Sequence, residues 1–285
     1  MKASISPFRS DFYMWNGISA IFFSNCLTNS HSHNTMQVVL DIQDKFRCRI
    51  GNEDWQTFKN LVIRENCLHQ LDTAGSVQII IYLDTETTIA KEIKARYLAD
   101  KDYHAPDLNL FDHIKPNLLQ QALLQPDAAL LLSIIHEALS AIAGICLPKK
   151  SDRRITDIEH LLATAHPADI SIRALAERVY LSESRLRSLF RQQTGVSLYK
   201  YILWSRIRFA INRIMAGSPI NDAAWEAGFA DNSHFCKILV SMFGISPSQF
   251  LRENKKMSIL TCDQSPLVFE TKVYDEQGQV EKIYR

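Results

Sequence analysis

IRALAERVYLSESRLRSLFRQQTG (172–195) and INDAAWEAGFADNSHFCKILVSMFG (220–244) are two copies of one pattern. At an offset of 48, Ile172 matches Ile220, Ala176 matches Ala224 and Leu181 matches Phe229. At an offset of 49, Leu186 matches Phe235, Phe190 matches Leu239, Gly195 matches Gly244 and Tyr201 matches Phe250. Each copy reads as helix, tight turn, helix. Ser171 and Ser182 are placed to cap the two helices of the first copy, Gly195 to stop the second, and Pro219 to open the next copy. A small residue (Ala176, Ala224) falls where two crossing helices approach closely, and an apolar residue (Leu181, Phe229) plugs the turn. The first copy lacks a turn glycine; the second has Gly228. This is the layout of a helix-turn-helix, whose second helix can enter a major groove.

Between the copies, Tyr201, Trp204, Ile207, Ile211 and Ile214 recur at helical spacing, predicting one helix over about Ser197–Ala216. About 20 residues at 1.5 Å each span roughly 30 Å. Successive major-groove sites on one DNA face lie roughly 34 Å apart. One chain can therefore set two recognition helices, expected at Ser182–Gln193 and Asn232–Phe243, into adjacent grooves.

Ala227-Gly228-Phe229-Ala230-Asp231-Asn232-Ser233-His234-Phe235, followed by Phe243-Gly244-Ile245-Ser246-Pro247-Ser248-Gln249-Phe250, resembles the signature of the AraC/XylS transcription regulators over about 100 residues. The resemblance implies seven helices, with two helix-turn-helix units on a long connecting helix. It implies double-stranded DNA as partner, an activator working beside RNA polymerase, and no cofactor. The sequence departs from the pattern at Leu239-Val240-Ser241, where the family often carries Phe-Lys-Lys; two phosphate contacts are lost there. In the first recognition helix, Leu186, Leu189 and Phe190 face inward. Ser184, Arg185, Arg187, Ser188 and Arg191 are left to meet DNA, with Ser184, Arg187 and Ser188 as base readers by motif position. Arginine suits guanine because it bridges O6 and N7. In the second, the candidates are Asn232, Ser233, His234 and Lys237, while Cys236 packs. Arg206, Arg208 and Arg213 on the connecting helix are candidate phosphate contacts or solubilising charges.

Charge is segregated in the same way. The chain totals 32 Lys+Arg against 31 Asp+Glu over 285 residues. Residues 1–148 hold 12 basic and 16 acidic side chains, 149–256 hold 17 and 10, and 257–285 hold 3 and 5. The helical repeat is thus the basic part, as a phosphate partner requires. These bounds are the expected units: 1–148 a cupin-like domain for sensing and dimerisation, 149–256 the DNA reader, and 257–285 a tail with a β-hairpin around Gln277-Gly278-Gln279. The expected fold class is α+β, an N-terminal cupin-like β-barrel with helices ahead of an all-α domain. Lys149–Arg154 (KKSDRR) reads as the hinge. Six cysteines without a C-x-x-C pair, and an N-terminus without an apolar signal core, point to a cytoplasmic protein with reduced thiols.

In the N-terminal part, Gln37–Ile42, Phe46–Ile50, Thr57–Ile63 and Val77–Leu83 read as strands, and from about Thr88 the period becomes helical. Ala128–Leu147 is long enough to span a membrane, but His136 and Glu137 lie near its middle. Leu131, Ile135, Ala138, Ile142 and Ile145 form a heptad-like seam, expected to be buried or to join two copies as a homodimer. His31, His33 and Gln37 fall on one face of an extended segment. They resemble the first cupin motif, with Gln37 where metal-binding cupins carry Glu, and His69 stands as the second-motif histidine. That implies a pocket of His31, His33, Gln37, His69 and Tyr82 for a small-molecule effector. No metal is assigned; His31, His33 and His69 are the residues that would hold one, and the missing carboxylate argues against it. Phe22, Phe23, Trp55 and Phe58 read as core. Two other readings compete with an effector-controlled regulator. One is a cupin-type metalloenzyme with a helical interaction domain; the other is a regulator controlled by a protein partner. No Ser-His-Asp set, P-loop or G-x-G-x-x-G supports other catalysis.

Overall fold

The computed structural model describes residues 11–15, 18–24, 27–42, 45–73, 77–107, 128–144, 152–244, 246–247, 258–261, 271–274 and 280–284. The N-terminal half is built on a sheet whose strands alternate between two buried faces. In β3 (Met36–Asp41) and β8 (Val77–Leu83), paired antiparallel with Val38 opposite Ile81, residues Val38, Leu40, Ile79 and Ile81 point one way. Val39, Ile80 and Tyr82 point the other. Burial on both sides explains why these strands read as continuous apolar runs. The sheet has seven strands in the order Ser258–Thr261, Asp11–Trp15, Ile18–Ser24, β8, β3, Asn60–Ile63 and Tyr103–His104.

A separate three-stranded sheet, Gln56–Phe58, Phe46–Ile50 and His69–Asp72, covers one face. The expected single strand Thr57–Ile63 is therefore two, breaking at Lys59 and serving a different sheet on either side, as strands do at the corners of packed sheets. Two sheets share a core, so the architecture is α+β. The region after Thr88 is not wholly helical, since Tyr103–His104 closes the edge of the large sheet.

The other face is covered by α1 (Thr88–Tyr97) and α2 (Ala128–Ala143). Thr87 caps α1 by accepting the Ala90 N–H. On α2, Leu131, Ile135, Ala138 and Ile142 are at most 1% exposed, packed in the chain's own core. Of the two expectations for this seam, burial within the chain is the one met, and the fifth seam residue, Ile145, lies outside the described residues. No helix among the described residues is long and apolar enough to cross a membrane.

The C-terminal half begins at α3 (Arg153–Thr164), capped by Asp152, so the expected hinge ends in a helix cap. Then come α4 (Ile172–Arg178), α5 (Glu183–Thr194), α6 (Leu198–Met215), α7 (Ile220–Glu226) and α8 (Asn232–Phe243). Ser171, Ser182, Ser197 and Asp231 each accept a backbone N–H at a helix start, and Pro219 opens α7 without a side-chain cap. Gly195 and Gly244 end α5 and α8 in the left-handed conformation. A seventh helix would fall beyond Pro247, outside the described residues. The tail returns to the other half: Ser258–Thr261 pairs parallel with Asp11–Trp15, and Thr271–Tyr274 pairs antiparallel with Val280–Tyr284.

The two turns solve one steric problem differently. Gly228 takes a positive φ of 83°, and the matching residue of the first unit, Tyr180, takes 56°. Left-handed backbone strains any residue with a Cβ. Because the Tyr180 side chain is 95% exposed, little packing offsets that strain. Tyr180→Gly is therefore expected to stabilise the chain by about 0.5–1 kcal/mol in urea unfolding, once the extra freedom of unfolded glycine is subtracted.

Glu159 on α3 is 4% exposed, beside Ile158 in the first unit's core. Burial pushes its carboxyl up from 4.5 to about 7. Between those values the folded chain keeps a proton that the unfolded chain releases, so stability falls as pH rises from 4.5 through 7. Glu159→Gln should remove that slope: the variant's unfolding midpoint should exceed the parent's at pH 8 and approach it near pH 5.

Candidate nucleic-acid interface and histidine site

On α5 the side chains divide as the helical period requires. Leu186, Leu189 and Phe190 are buried, while Ser184, Arg185, Arg187, Ser188 and Arg191 are exposed. Arg187 pairs with Glu183 at 2.9 Å on the exposed surface, a contact worth little in water and readily exchanged for another partner. On α8, Ser233, His234 and Lys237 are exposed and Asn232 is half-buried. Cys236 is half-buried and its thiol donates to Asn232 Oδ1 at 3.3 Å. Apart from Arg191 in the last turn of α5, both sets lie toward the N-terminal ends of their helices, where backbone N–H groups also face outward.

The connecting helix is otherwise engaged. Arg208 is 7% exposed. Arg213 donates to Glu226 at 2.6 and 3.2 Å, and the Arg206 guanidinium lies over Gly228. Arg208 is therefore part of the packed fold, whereas Arg213 stays on the surface in an ion pair of the same exchangeable kind. With 18 residues, α6 is about 27 Å long at 1.5 Å per residue. Two helix-turn-helix units are thus joined by one helix.

Comparison with known proteins agrees. Residues 175–253 match the family described as Helix-turn-helix domain. The chain is 31% identical over 143 residues to the arabinose operon regulatory protein of Salmonella typhimurium, covering 47% of this chain and 44% of that protein. It is 30% identical over 129 residues to the transcriptional activator RhaR of Pectobacterium atrosepticum, covering 45% of each. It is 32% identical over 107 residues to the uncharacterised regulator YidL of Escherichia coli, covering 36% of each. A solved structure of ToxT from Vibrio cholerae aligns over 86% of this chain and 97% of that one, with a TM-score of 0.44 and 13% identity. The match spans less than half the length of these curated relatives. Residues 175–253 are thus a helix-turn-helix domain, similar in sequence to those of these bacterial transcriptional regulators.

The N-terminal half grips this module at two places. At the first, Asp84 and Glu86 follow strand β8. Asp84 accepts Lys200 Nζ at 3.0 Å and Trp204 Nε1 at 3.4 Å, and Glu86 accepts the Ser197 N–H at 3.1 Å. Burial opposes the ionised Glu86, yet the Ser197 amide, Lys200 and Arg191 together hold its carboxyl below the usual value. At the second, the loop before β3 reaches the last turn of α8. The Asn34 N–H donates to the Ser241 carbonyl at 2.6 Å, and the Thr35 hydroxyl to the Met242 carbonyl at 2.7 Å. Nothing in the sequence signalled these contacts, because each joins residues more than 100 positions apart.

Behind that loop the structure gathers four of the five expected pocket residues around one point. His31 and His69 exchange backbone hydrogen bonds of 3.0 and 2.9 Å. One ring nitrogen from each of His31, His33 and His69 falls within 4.8 Å of the others. Gln37 Oε1 lies 2.8 Å from His33 Nε2 and 3.2 Å from His69 Nε2. Tyr82 forms the wall, its ring edge-on to His33 at 4.9 Å. Burial lowers all three imidazoles, His33 to about 4 and His69 to about 3, so they are neutral at pH 7. Phe58 lies in the core and Trp55 receives Arg47 and Arg49 at 5.5 Å, so neither lines this site.

Asp84, 5% exposed, is the charge on which the first contact turns. Lys200 is about one-third exposed, which moderates the cost of unpairing it. Asp84→Ala should destabilise the chain by about 1–3 kcal/mol and unlink the two halves, seen as loss of a single urea transition.

Proposed function

We propose that the chain is a sequence-specific transcription regulator that reads two adjacent major grooves with α5 and α8 and is controlled through its N-terminal domain. The observation that carries this reading is the outward set on two capped helices: Ser184, Arg185, Arg187, Ser188 and Arg191 on one, Asn232, Ser233, His234 and Lys237 on the other. Ser184, Arg187 and Ser188 on α5, with His234 and Lys237 on α8, are the base-reading candidates, and the remaining residues hold phosphate. The relatives include proteins named as an operon regulator and a transcriptional activator, which supports activation beside RNA polymerase. A homodimer fits the same reading, through a surface other than the buried seam of α2. Control by a small ligand is favoured over control by a protein partner, because the histidine site lies inside the chain and touches α8. A regulator is favoured over a metalloenzyme, because the loop that carries His31 and His33 is tied to the last turn of α8.

Selection of bound DNA from a random pool, followed by footprinting, tests this reading. The expected footprint covers two major-groove segments about one helical turn apart. Arg187→Ala should lower affinity for the selected site by about 1–3 kcal/mol and relax the preference at one base pair. Binding without sequence preference, or affinity unchanged by the substitution, would remove α5 from the reading role.

A further inference from the structure

The hydrogen bonds around the histidine site leave three imidazole nitrogens gathered at one point. His31 Nδ1 lies 2.8 Å from the Asn29 carbonyl, and His69 Nδ1 lies 3.0 Å from the Cys67 carbonyl. A carbonyl can only accept, so both Nδ1 atoms carry the proton. His33 Nδ1 lies 2.9 Å from the Thr35 carbonyl and 3.0 Å from Thr35 Oγ1. The Thr35 hydroxyl proton is already committed to Met242, so Oγ1 also accepts. All three neutral rings are thereby fixed in the same tautomer, leaving three Nε2 lone pairs. The amide oxygen of Gln37 points at two of them. Three imidazole nitrogens, each backed by a backbone carbonyl, are the arrangement in which proteins hold a transition metal.

We propose that His31, His33 and His69, with Gln37 as an oxygen ligand, bind one divalent first-row transition metal, and that its occupancy sets how firmly the second helix-turn-helix unit is held. Nitrogen donors exclude calcium and magnesium, and three nitrogens with one oxygen suit tetrahedral zinc. The coupling follows from position. The loop that carries His31 and His33 also carries Asn34 and Thr35, which bind the last turn of α8. The His31 ring lies against Gly244, where a Cβ would come within 2.4 Å of Cδ2. Tyr82 contacts His33 on one side and Phe243, at 5.4 Å, on the other. A metal that draws the three rings together fixes this loop, and with it the end of α8. This inference names the ligand class for the control assigned above, and it rests on that reading only for its effect on DNA.

The test uses the full chain, stripped with a chelator and titrated with zinc or cobalt(II). One metal per chain is expected, with the intense visible absorption of tetrahedral cobalt. His69→Gln should weaken binding at least tenfold, as should the milder His31→Gln at a half-exposed position. Gln37→Glu should strengthen it about tenfold by adding a carboxylate. Zinc should slow amide hydrogen exchange at the end of α8 at least tenfold in the parent chain and not in His69→Gln. It should also change affinity for the selected DNA at least fivefold. Failure to bind a stoichiometric metal overturns the site. Metal binding without slower exchange in α8 overturns the coupling. Metal binding and slower exchange without any DNA binding leave this inference standing and overturn the regulator reading.

Discussion

Phe243, the last residue of the second recognition helix, is the point on which the two halves of the chain turn. Its ring meets Tyr82 of the large sheet at 5.4 Å and Trp204 of the connecting helix at 5.9 Å, both edge-on. Trp204 and Phe243 are 1% and 2% exposed, so the contact is dry. Aromatic pairs in this geometry contribute about 0.5–1.5 kcal/mol each beyond the area they bury. The first helix-turn-helix unit closes a core of its own around Leu186, Phe190 and Tyr201. The second does not: its Ala224, Phe229, Phe235 and Phe243 share one continuous core with the N-terminal strands. The unit nearer the sheet is therefore the one whose position the N-terminal half can influence.

Polar contacts set the direction of that influence. Asp84 and Glu86 hold the start of the connecting helix, and Asn34 and Thr35 hold the end of α8. Packed apolar surfaces tolerate few intermediate positions, so a joint of this kind favours discrete arrangements over a continuum. A ligand shifts such a balance only by the difference in its affinity for the two states. The histidine site meets that condition, because two of its rings sit on the loop that makes the second grip.

Much of the helical half was legible because its signals are local. The offset of 48–49, the serine caps and the glycine stops act over a few residues, and helix boundaries follow from them directly. Tyr180 in a glycine's conformation was foreshadowed only as a missing turn glycine, since its strain is a property of backbone angle and not of residue type. The N-terminal half was harder. The seam Leu131, Ile135, Ala138 and Ile142 shows an apolar face but not what covers it, and the sheet of the same chain satisfies it as well as a second copy would. Thr57–Ile63 has one apolar pattern although Lys59 divides it between two sheets. The His31, His33, Gln37 and His69 group was visible as residue types, whereas the tautomers that give it chemical meaning depend on carbonyls from Asn29, Thr35 and Cys67.

The departure at Leu239-Val240-Ser241 acquires a physical reason in this setting. Leu239 is buried in the shared core, and the Ser241 carbonyl receives the Asn34 N–H. A lysine at Ser241 would place a charge against the N-terminal half, where neither Asn34 nor the Thr35 hydroxyl, committed to Met242, offers a counter-ion. Loss of basic residues at this turn thus suits docking at the expense of phosphate contact. On the proposed reading, the second unit would give up electrostatic grip on DNA for a contact the N-terminal half can use. The first unit, with Arg185, Arg187 and Arg191 exposed, keeps the larger share of the charge. A regulator built this way would anchor through the first unit and be controlled through the second, which accounts for the near-zero total of a chain whose basic residues are nonetheless concentrated on one side of its domain boundary.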